Sequence, residues 1–525
     1  MSRPAQGANQ EWVPSFNPWL IAASVMLATF MEVLDTSVAN VSLPHIAGNL
    51  SATTDEATWV LTSYLVSNAI VLPITGFLGS YFGRKRLLIT CIIIFTASSA
   101  LCGAATSLPM LILARVIQGA GGGALQPIAQ AVLLESFPPE KRGQAMAIYG
   151  MGIIVAPIIG PTLGGWITDN YSWRWIFYIN VPVGALAVFM SQTFIEDPPY
   201  IKRAVEATID YIGFGLMAIW LASFQIILDK GQEEDWFAAR WIVWTAVVSL
   251  GCMVAFIIRE LKTRHPIVDL RVLTNRNFGI GVFLIMIVGA VLYGTTAMLP
   301  IFLQTLLGYP ALQSGLAVSP RGFGSMASMI IVGRLVGILD NRYLMAAGFA
   351  ILALSVYLLG HVNLDISMSS VIWPNIINGF AMGFIFVPLT TTAMGTLRNE
   401  QMGNATGIYN LMRNIGGGLG ISISTTMLSR LGQFHQNVLT PHVSELDPAF
   451  QQTLNSIKAG LSAMTDPYTA GQQAYGVIYG IVQRQASTLA FIDVFRWEAI
   501  ICICCVPLVF ILKKGRRGGP PAGVH

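Results

Sequence analysis

WLIAASVMLATFMEVLDTSVANV, residues 19–41, decides the fold class of this chain, because its length is that of a membrane-crossing helix. A helix needs about 20 predominantly apolar residues to cross the ~30 Å hydrocarbon core of a bilayer. The run carries two acids, Glu32 and Asp35, one helical turn apart on the same face. Because an acid near the bilayer centre costs about 2.5–3.5 kcal/mol, it faces a protein interior or a wet cavity. The pair predicts work with protons or cations; the alternative is that both acids are neutral, hydrogen-bonded packing residues.

The composition indicates a polytopic membrane protein. The 525 residues are 54% hydrophobic and 11% charged, whereas soluble domains have about 25% charged residues. The six cysteines lie in apolar stretches, and the six histidines lack the pairing that a metal site on a helix requires. We therefore expect no metal and no cofactor. The net charge of +4 does not predict a nucleic-acid partner, because the basic residues lie between apolar runs.

Further apolar runs recur along the chain and predict an all-α protein with about fourteen spans. The predicted spans are 19–41, 57–79, 87–106, 109–134, 143–167, 174–195, 210–229, 239–259, 278–305, 312–338, 343–361, 369–396, 402–430 and 491–512. Lys and Arg accumulate in cytoplasmic loops. In this chain they concentrate in alternate connections and at the end: Arg84, Lys85, Arg86, Lys141, Arg142, Lys202, Arg203, Arg259, Lys262, Arg264, Arg271, Arg276, Arg342, Arg398, Lys513, Lys514, Arg516 and Arg517. Both termini are therefore expected to be cytoplasmic.

The order of the spans predicts two six-span halves, an N-terminal bundle over 19–195 and a C-terminal bundle over 278–512. Between them, the two spans in 210–259 have no polar interior residues except Ser, Thr and Gln, which predicts a structural insertion. Residues 1–18 and 513–525 are expected to form a cytoplasmic N-terminal segment and a basic cytoplasmic tail.

One connection is unusually long. Residues 431–490 are polar and rich in Gln, Thr and Ser, and they are predicted to lie on the non-cytoplasmic side of the membrane. Loops of this length are usually functional or partly disordered. We expect a periplasmic or extracellular loop that docks a partner or acts as a lid.

The stretch GFLGSYFGRKR, residues 76–86, joins spans 2 and 3 and contains Gly76, Gly79, Gly83 and Arg84. Its glycines let two helix ends approach closely. Its basic residues fix the connection on the cytoplasmic face.

Span 4 carries a charged side chain well inside the membrane. Leu111, Arg115, Gln118, Gly119 and Gly121 follow the spacing LxxxRxxQGxG. A buried guanidinium cannot lose its proton, so it needs an acid or backbone carbonyls as partners.

Span 5 has a flat, notched face. It is formed by three pairs of residues: Ala156 and Pro157, Gly160 and Pro161, and Gly164 and Gly165. Small residues at this spacing permit tight helix crossing, and prolines bend the helix and release backbone groups.

With these residues the chain resembles the major facilitator superfamily, and within it the fourteen-span drug/proton antiporters of the EmrB/QacA type. The resemblance runs from about Trp19 to Leu512. Besides the Arg115 segment, its most specific marks are 34–44 (LDTSVANVSLP), 160–165 (GPTLGG), 173–182 (WRWIFYINVP), 267–270 (IVDL) and 386–391 (FVPLTT). The chain departs from the family after span 2, where Ser80 stands in place of an acid.

The resemblance implies two six-helix bundles that rock about a central cavity in the cytoplasmic membrane, with the extra pair of helices at the side. It also implies efflux of amphipathic drugs or other small toxic compounds in exchange for protons. Asp35 is then expected to load a proton from outside and release it inside, since burial opposes its charge and Arg115 favours it. Glu32 is expected to act as a relay or as the counter-charge of a cationic substrate.

Polar and aromatic residues within the spans are candidates for the walls of the substrate pocket. They are Asn40, Tyr64, Asn68, Gln126, Tyr293, Gln304, Asn378, Tyr409 and Arg413. Such side chains suit amphipathic compounds without demanding one shape. The buried cations Arg413 and Arg321 are candidates to bind an anionic substrate or Glu32, and equally to bond neighbouring helices through carbonyls.

Two other classes of function are open. One is an exporter or uptake carrier of a specific metabolite. The other is a membrane-embedded enzyme, such as an acyltransferase or protease, that uses Glu32, Asp35 and a histidine such as His45, although no serine or cysteine nucleophile pattern accompanies them. Residues 119–124 contain the dinucleotide-binding pattern GxGxxA but lie in an apolar helix, and the phosphate-binding pattern GxxxxGK[ST] of ATP-driven pumps is absent. EmrB-like transporters often work with a periplasmic adaptor and an outer-membrane channel, for which 431–490 is the candidate contact.

Overall fold

A computed structural model describes residues 14–198, 210–263, 266–336, 338–444 and 446–513. Within these ranges the regular structure is helical. The helices are α1 (Pro18–Asn49), α2 (Thr54–Phe82), α3 (Arg84–Gly103), α4 (Leu108–Gly122), α5 (Leu125–Ser136), α6 (Pro139–Asn170), α7 (Trp175–Tyr178), α8 (Asn180–Phe194), α9 (Tyr211–Lys230), α10 (Arg240–Lys262), α11 (Arg276–Ile301), α12 (Ala311–Val318), α13 (Arg321–Leu335), α14 (Asn341–Leu359), α15 (Met368–Met394), α16 (Met402–Leu439), α17 (Pro448–Ser462) and α18 (Pro467–Val509). The predicted positions of Lys202, Arg203, Arg264 and the tail after Lys513 lie outside the described residues.

The expected fold class is confirmed, since twelve helical stretches of the described chain are long and apolar enough to cross a membrane. They coincide with the first twelve predicted spans. α16 and the second half of α18 occupy the places of the remaining two, but α16 is rich in Gly, Asn and Ser, and α18 carries Asp493, Arg496 and Glu498. The chain is a multi-pass membrane protein, and fourteen spans fit its helices.

Three spans that the sequence predicts as single helices are interrupted. Span 4 is divided into α4 and α5 beside Gly123, where a side chain would come within 2.5 Å of the Asn68 carbonyl oxygen, so only glycine permits this contact with α2. Span 10 is divided into α12 and α13 at Pro320, which lacks the N–H that a continuous helix requires. Span 6 begins with the short α7 and continues as α8.

The helices pack as two groups, α1–α8 and α11–α18. In the first, α1 packs on α6 and α2 on α4; in the second, α11 packs on α16 and α13 on α15. The inserted pair α9 and α10 lies beside the seam, because α9 packs against both α2 and α16. Lys230 Nζ donates to Thr58 Oγ1 at 2.9 Å, and Trp236 Nε1 donates to Thr426 Oγ1 at 3.1 Å.

The two groups also touch each other directly at the end where α2 leads into α3. A Cβ atom on Gly76 of α2 would lie 2.4 Å from the backbone nitrogen of Asn404 in α16. A Cβ atom on Gly143 of α6 would lie 2.8 Å from Val336, just after α13. At this end the two bundles therefore pack so closely that the glycines have no room for a side chain.

The prediction that 431–490 form a long loop is wrong, because most of this segment is helical. α16 continues to Leu439, α17 follows, and α18 begins at Pro467, so the segment is a helical projection. Asp447 and Asp466 cap α17 and α18 by accepting bonds from backbone N–H groups at 2.9 Å and 3.1 Å, each followed by a proline suited to the first helical turn. Its apolar contacts are made by Val443, Phe450, Leu454, Ile457, Leu461, Ala474 and Ile478.

Candidate functional site

Asp35 is held by three nitrogen donors inside the N-terminal bundle. Arg115 Nη1 lies 2.5 Å from its Oδ2, while Gln118 Nε2 and Asn180 Nδ2 donate to its Oδ1 at 3.0 Å and 2.7 Å. The donors come from α4 and α8, so the carboxylate ties α1 to both helices. The expected acid partner of the buried arginine is thus Asp35.

Arg115 is fully buried, and two of its three side-chain nitrogens, Nε and Nη1, have hydrogen-bond partners. Its Nε donates to the Val60 carbonyl at 3.1 Å and its Nη1 donates to Gln118 Oε1 at 2.8 Å. The guanidinium lies over the Tyr64 ring, 4.3 Å from its centroid. The close packing of α4 on α2 makes this possible, because Gly119 faces the Tyr64 carbonyl oxygen where a Cβ atom would lie at 2.4 Å.

Glu32, one turn before Asp35, connects the two bundles. It accepts from Tyr64 at 3.2 Å, from Asn68 at 3.3 Å and from Gln126 Nε2 at 2.7 Å. The other end of the Gln126 amide accepts a bond from Arg413 of α16. A single amide therefore joins an acid of one bundle to a cation of the other.

The predicted pocket residues fall into separate places. Tyr64, Asn68, Gln126 and Arg413 surround Glu32. Asn378 lies inside the C-terminal bundle, and Tyr409 is buried against Thr390, with their hydroxyls 3.1 Å apart. Three others are exposed in the halves of the helices that face away from the contact between bundles: Asn40, Tyr293 and Gln304.

Arg321 and His45 have partners that differ from the predicted ones. Arg321 does join neighbouring helices, but through side chains: its Nε donates to Asn378 at 2.8 Å and its Nη1 to Thr296 at 2.5 Å. His45 lies 3.9 Å from Asp169 with both side chains largely exposed, so it is placed with a different acid from Asp35.

The segment after span 2 forms a charged corner. Gly83 has φ +86°, a backbone conformation that favours glycine, and so allows α3 to start at once. Arg84 forms a buried ion pair with Glu135 at the end of α5. Ser80 donates to the Phe77 carbonyl at 2.8 Å. Glu135 thus supplies a partner for the arginine although the family's acid is missing at Ser80.

The notched face of span 5 packs on α1. Cβ atoms on Gly160 and Gly164 would come within 2.4 Å of Ser37 and 2.8 Å of Val38. The hydroxyl of Ser37 donates at 3.3 Å to the Pro157 carbonyl, which lacks its usual helical donor because residue 161 is proline. The side chain of Pro161 lies outside the described residues, and a Cβ atom on Gly79 would make only an ordinary contact of 3.7 Å with Arg84.

Sequence reasoning missed a further buried acid, Glu498 in α18. Thr295 Oγ1 lies 3.0 Å from its Oε2 and Ser424 Oγ lies 3.2 Å from its Oε1. An acid inside predicted span 14 was the available signal, and it is the same signal that singled out Glu32.

Two helical bundles in contact at one end, with a buried ion pair in one bundle and an acid linked across the contact to a cation of the other, define a multi-pass membrane transporter. The chain belongs to the Major Facilitator Superfamily, whose family model matches residues 25–421. This finding confirms the resemblance read from the motifs.

Individual relatives are similar over nearly the whole chain. The fatty acid resistance protein FarB of Neisseria gonorrhoeae is 35% identical over 516 residues, covering 98% of both chains. The multidrug export protein EmrB of Haemophilus influenzae is 39% identical over 466 residues, covering 88% of this chain and 91% of its own. The crystal structure of the human organic anion transporter MFSD10 covers 93% of this chain and 100% of its own with a TM-score of 0.60 at 13% identity, which supports the fold alone.

Proposed function

We propose that this chain is a proton-coupled antiporter that exports amphipathic drugs or other small toxic compounds across the cytoplasmic membrane by alternating access, with both termini in the cytoplasm. The observation that carries the proposal is the buried Asp35 and Arg115 pair, 2.5 Å apart and one helical turn from Glu32. The names of the relatives, multidrug export and fatty acid resistance proteins, support efflux as the direction and small amphipathic molecules as the cargo.

Protonation of Asp35 would remove its charge and weaken its hold on Arg115, Gln118 and Asn180, which frees α1 to move against α4 and α8. Glu32 lies on the same helix and is joined through Gln126 to Arg413, so a movement of α1 reaches the contact between the bundles. One charge moved through ~100 mV is worth about 2.3 kcal/mol, enough for roughly a fifty-fold gradient of a neutral compound.

The conformation supports proton loading from outside. The bundles touch through Gly76 and Asn404 at the end that the basic residues predict to be cytoplasmic. Asn40, Tyr293 and Gln304 are exposed in the opposite halves of their helices. We therefore assign this conformation to a state closed towards the cytoplasm, in which the pocket faces outwards.

Glu32→Gln is expected to reduce efflux of cationic substrates selectively, because the pocket loses its negative charge while the side chain keeps its size and one hydrogen-bond acceptor. The measurement is a susceptibility profile with matched cationic and neutral compounds, in cells that make equal amounts of wild type and variant. Glu56→Gln, an exposed acid at the start of α2, is the control and should leave the profile unchanged. An unaltered profile in Glu32→Gln would return Glu32 to a packing role.

In a bacterium with two membranes, we propose that the helical projection over 431–490 contacts a periplasmic adaptor that leads to an outer-membrane channel. The projection has its own apolar contacts and presents large apolar side chains at the two ends of α17: Leu446 before it and Met464 and Tyr468 after it are 93%, 86% and 77% exposed. Replacing α17 by a short linker should abolish co-purification with the adaptor while transport in vesicles persists. Undiminished co-purification would exclude this surface.

A further inference from the structure

Glu498 occupies a prepared position inside the C-terminal bundle. It is buried and reaches from α18 to α11, where Gly294 leaves room for its carboxyl group: a Cβ atom at position 294 would lie 2.6 Å from Oε1. Hydroxyl groups from two helices flank the carboxyl group, Thr295 of α11 and Ser424 of α16. Neither the ion pair of Asp35 nor the bridge of Glu32 involves it.

The groups around Asp35 and those around Glu498 differ in whether they can accept a hydrogen bond. Asp35 faces N–H groups of Arg115, Gln118 and Asn180, which only donate and therefore suit a carboxylate. Glu498 faces hydroxyls, which can also accept. The single proton of Thr295 has a second partner, the Val291 carbonyl at 2.6 Å, and when it is donated there the Thr295 oxygen is free to accept a bond from Glu498. This geometry suits a neutral carboxylic acid.

A cation able to balance the ionised form is bonded to the same helix, α11. Arg321 of α13 is a cation whose charge affects Glu498, and Cys502, one turn further along α18, is another ionisable group near it. Arg321 is bonded to Thr296, the residue next to Thr295. Adjacent residues of α11 thus bond the acid and the guanidinium, and loss of the proton from Glu498 would place a negative charge one residue along α11 from the bond of Arg321.

Resting on the proposed function, we propose that Glu498 is a second proton-binding site of the transport cycle: in the conformation described here it carries the proton while Asp35 is ionised, and on release it pairs with Arg321. The step is a simple protonation, in which one carboxylate oxygen of Glu498 takes a proton from hydronium, leaving water, and the charge of Arg321 is no longer balanced by Glu498. Each bundle then contains an acid and an arginine, Asp35 with Arg115 and Glu498 with Arg321, whose pairing changes during transport.

The protonation state is tested by infrared difference spectra of the purified protein at neutral pH. A protonated carboxyl group has a C=O stretch distinct from that of a carboxylate. Wild type minus Glu498→Gln should contain this band, and wild type minus Asp35→Asn should not. Thr295→Val, which keeps the acid but removes its hydroxyl partner, should shift the band, so the test holds even if Glu498→Gln folds poorly. A missing band, or one that Thr295→Val leaves in place, would overturn the inference.

Coupling is tested by substrate uptake into everted vesicles. Glu498→Gln should lose uptake driven by the pH gradient, down to the level seen with a protonophore, while exchange of labelled for unlabelled substrate continues. Asp493→Asn is the control on the same helix, with its side chain paired to His435 at 2.7 Å, and it should behave as wild type. Full gradient-driven uptake in Glu498→Gln would contradict the inference. Wild-type uptake that ignores the gradient would instead contradict the proposed function, and the infrared spectra would still decide where the proton lies.

Discussion

Asp35→Asn is expected to abolish uptake of substrate into everted vesicles when a proton gradient is the driving force. The amide cannot bind or release a proton, and it leaves Arg115 buried without an opposite charge. Removing one partner of a buried ion pair typically costs about 3–5 kcal/mol. We expect a loss at the lower end of this range, because the single amide oxygen can replace Oδ2 and still accept the bond from Arg115, while the bonds that Gln118 and Asn180 donate to Oδ1 are lost. The variant should therefore be produced in the membrane but not transport.

The controls for this result separate charge from protonation. Asp169→Asn removes an exposed acid at the end of α6 and should transport as wild type. The double variant Asp35→Asn with Arg115→Gln removes both charges and should unfold at a higher temperature than Asp35→Asn alone, yet remain inactive. If Asp35→Asn transports at the wild-type rate, Asp35 has no part in proton coupling.

Gly76→Ala is expected to slow transport strongly, whereas Gly79→Ala, one turn away on α2, is expected to be tolerated. A Cβ atom at position 76 would lie 2.4 Å from the Asn404 backbone nitrogen, and one at position 79 would make an ordinary contact of 3.7 Å with Arg84. Overpacking of this kind costs about 1–3 kcal/mol, so the closed state would become about five- to 150-fold less populated relative to the open state.

Thiol labelling measures this opening. Ala131 is buried beside Gly76 in the closed end of the bundles, so Ala131→Cys in a chain without its native cysteines reports when that end opens to water. A water-soluble thiol reagent should label it faster in the Gly76→Ala background than in the Gly79→Ala background. Equal labelling and equal transport in both backgrounds would show that the contact between α2 and α16 does not gate the pathway.

Residues of the site were predictable where the spacing within one helix, or the need of a buried charge for a partner, determined their positions. Arg115 needed a buried partner and Asp35 was the acid within reach, while Tyr64 and Asn68 lie four residues apart on the face of α2 that meets Glu32. The contact between Gln126 and Arg413 was not predictable in the same way. It depends on how two separately folded bundles meet, and no local pattern in either helix contains that information.

Two features that were not predicted, the helices within 431–490 and the buried Glu498, nevertheless have indications in the sequence. The polarity of 431–490 favoured a loop, yet the apolar spacing of Phe450, Leu454, Ile457 and Leu461 and the Asp-Pro pairs before α17 and α18 are typical of helices. Glu498 lies in the last predicted span, and an acid inside a span is the same signal that singled out Glu32. The break in span 4 depends on the close contact of Gly123 with α2, which no local pattern contains, whereas the break in span 10 follows from Pro320, whose missing N–H is visible in the sequence.

The exchange of protons for cargo is tested by the pH inside everted vesicles that have been acidified and contain the wild-type chain. Adding a transported compound should discharge the pH gradient, as read by a pH-sensitive dye, because each molecule taken up releases protons to the outside. Vesicles with Asp35→Asn should keep their gradient. If the compound accumulates in wild-type vesicles while the internal pH stays constant, and continues to do so after both the pH gradient and the membrane potential are collapsed, transport is not proton-coupled and the account is wrong.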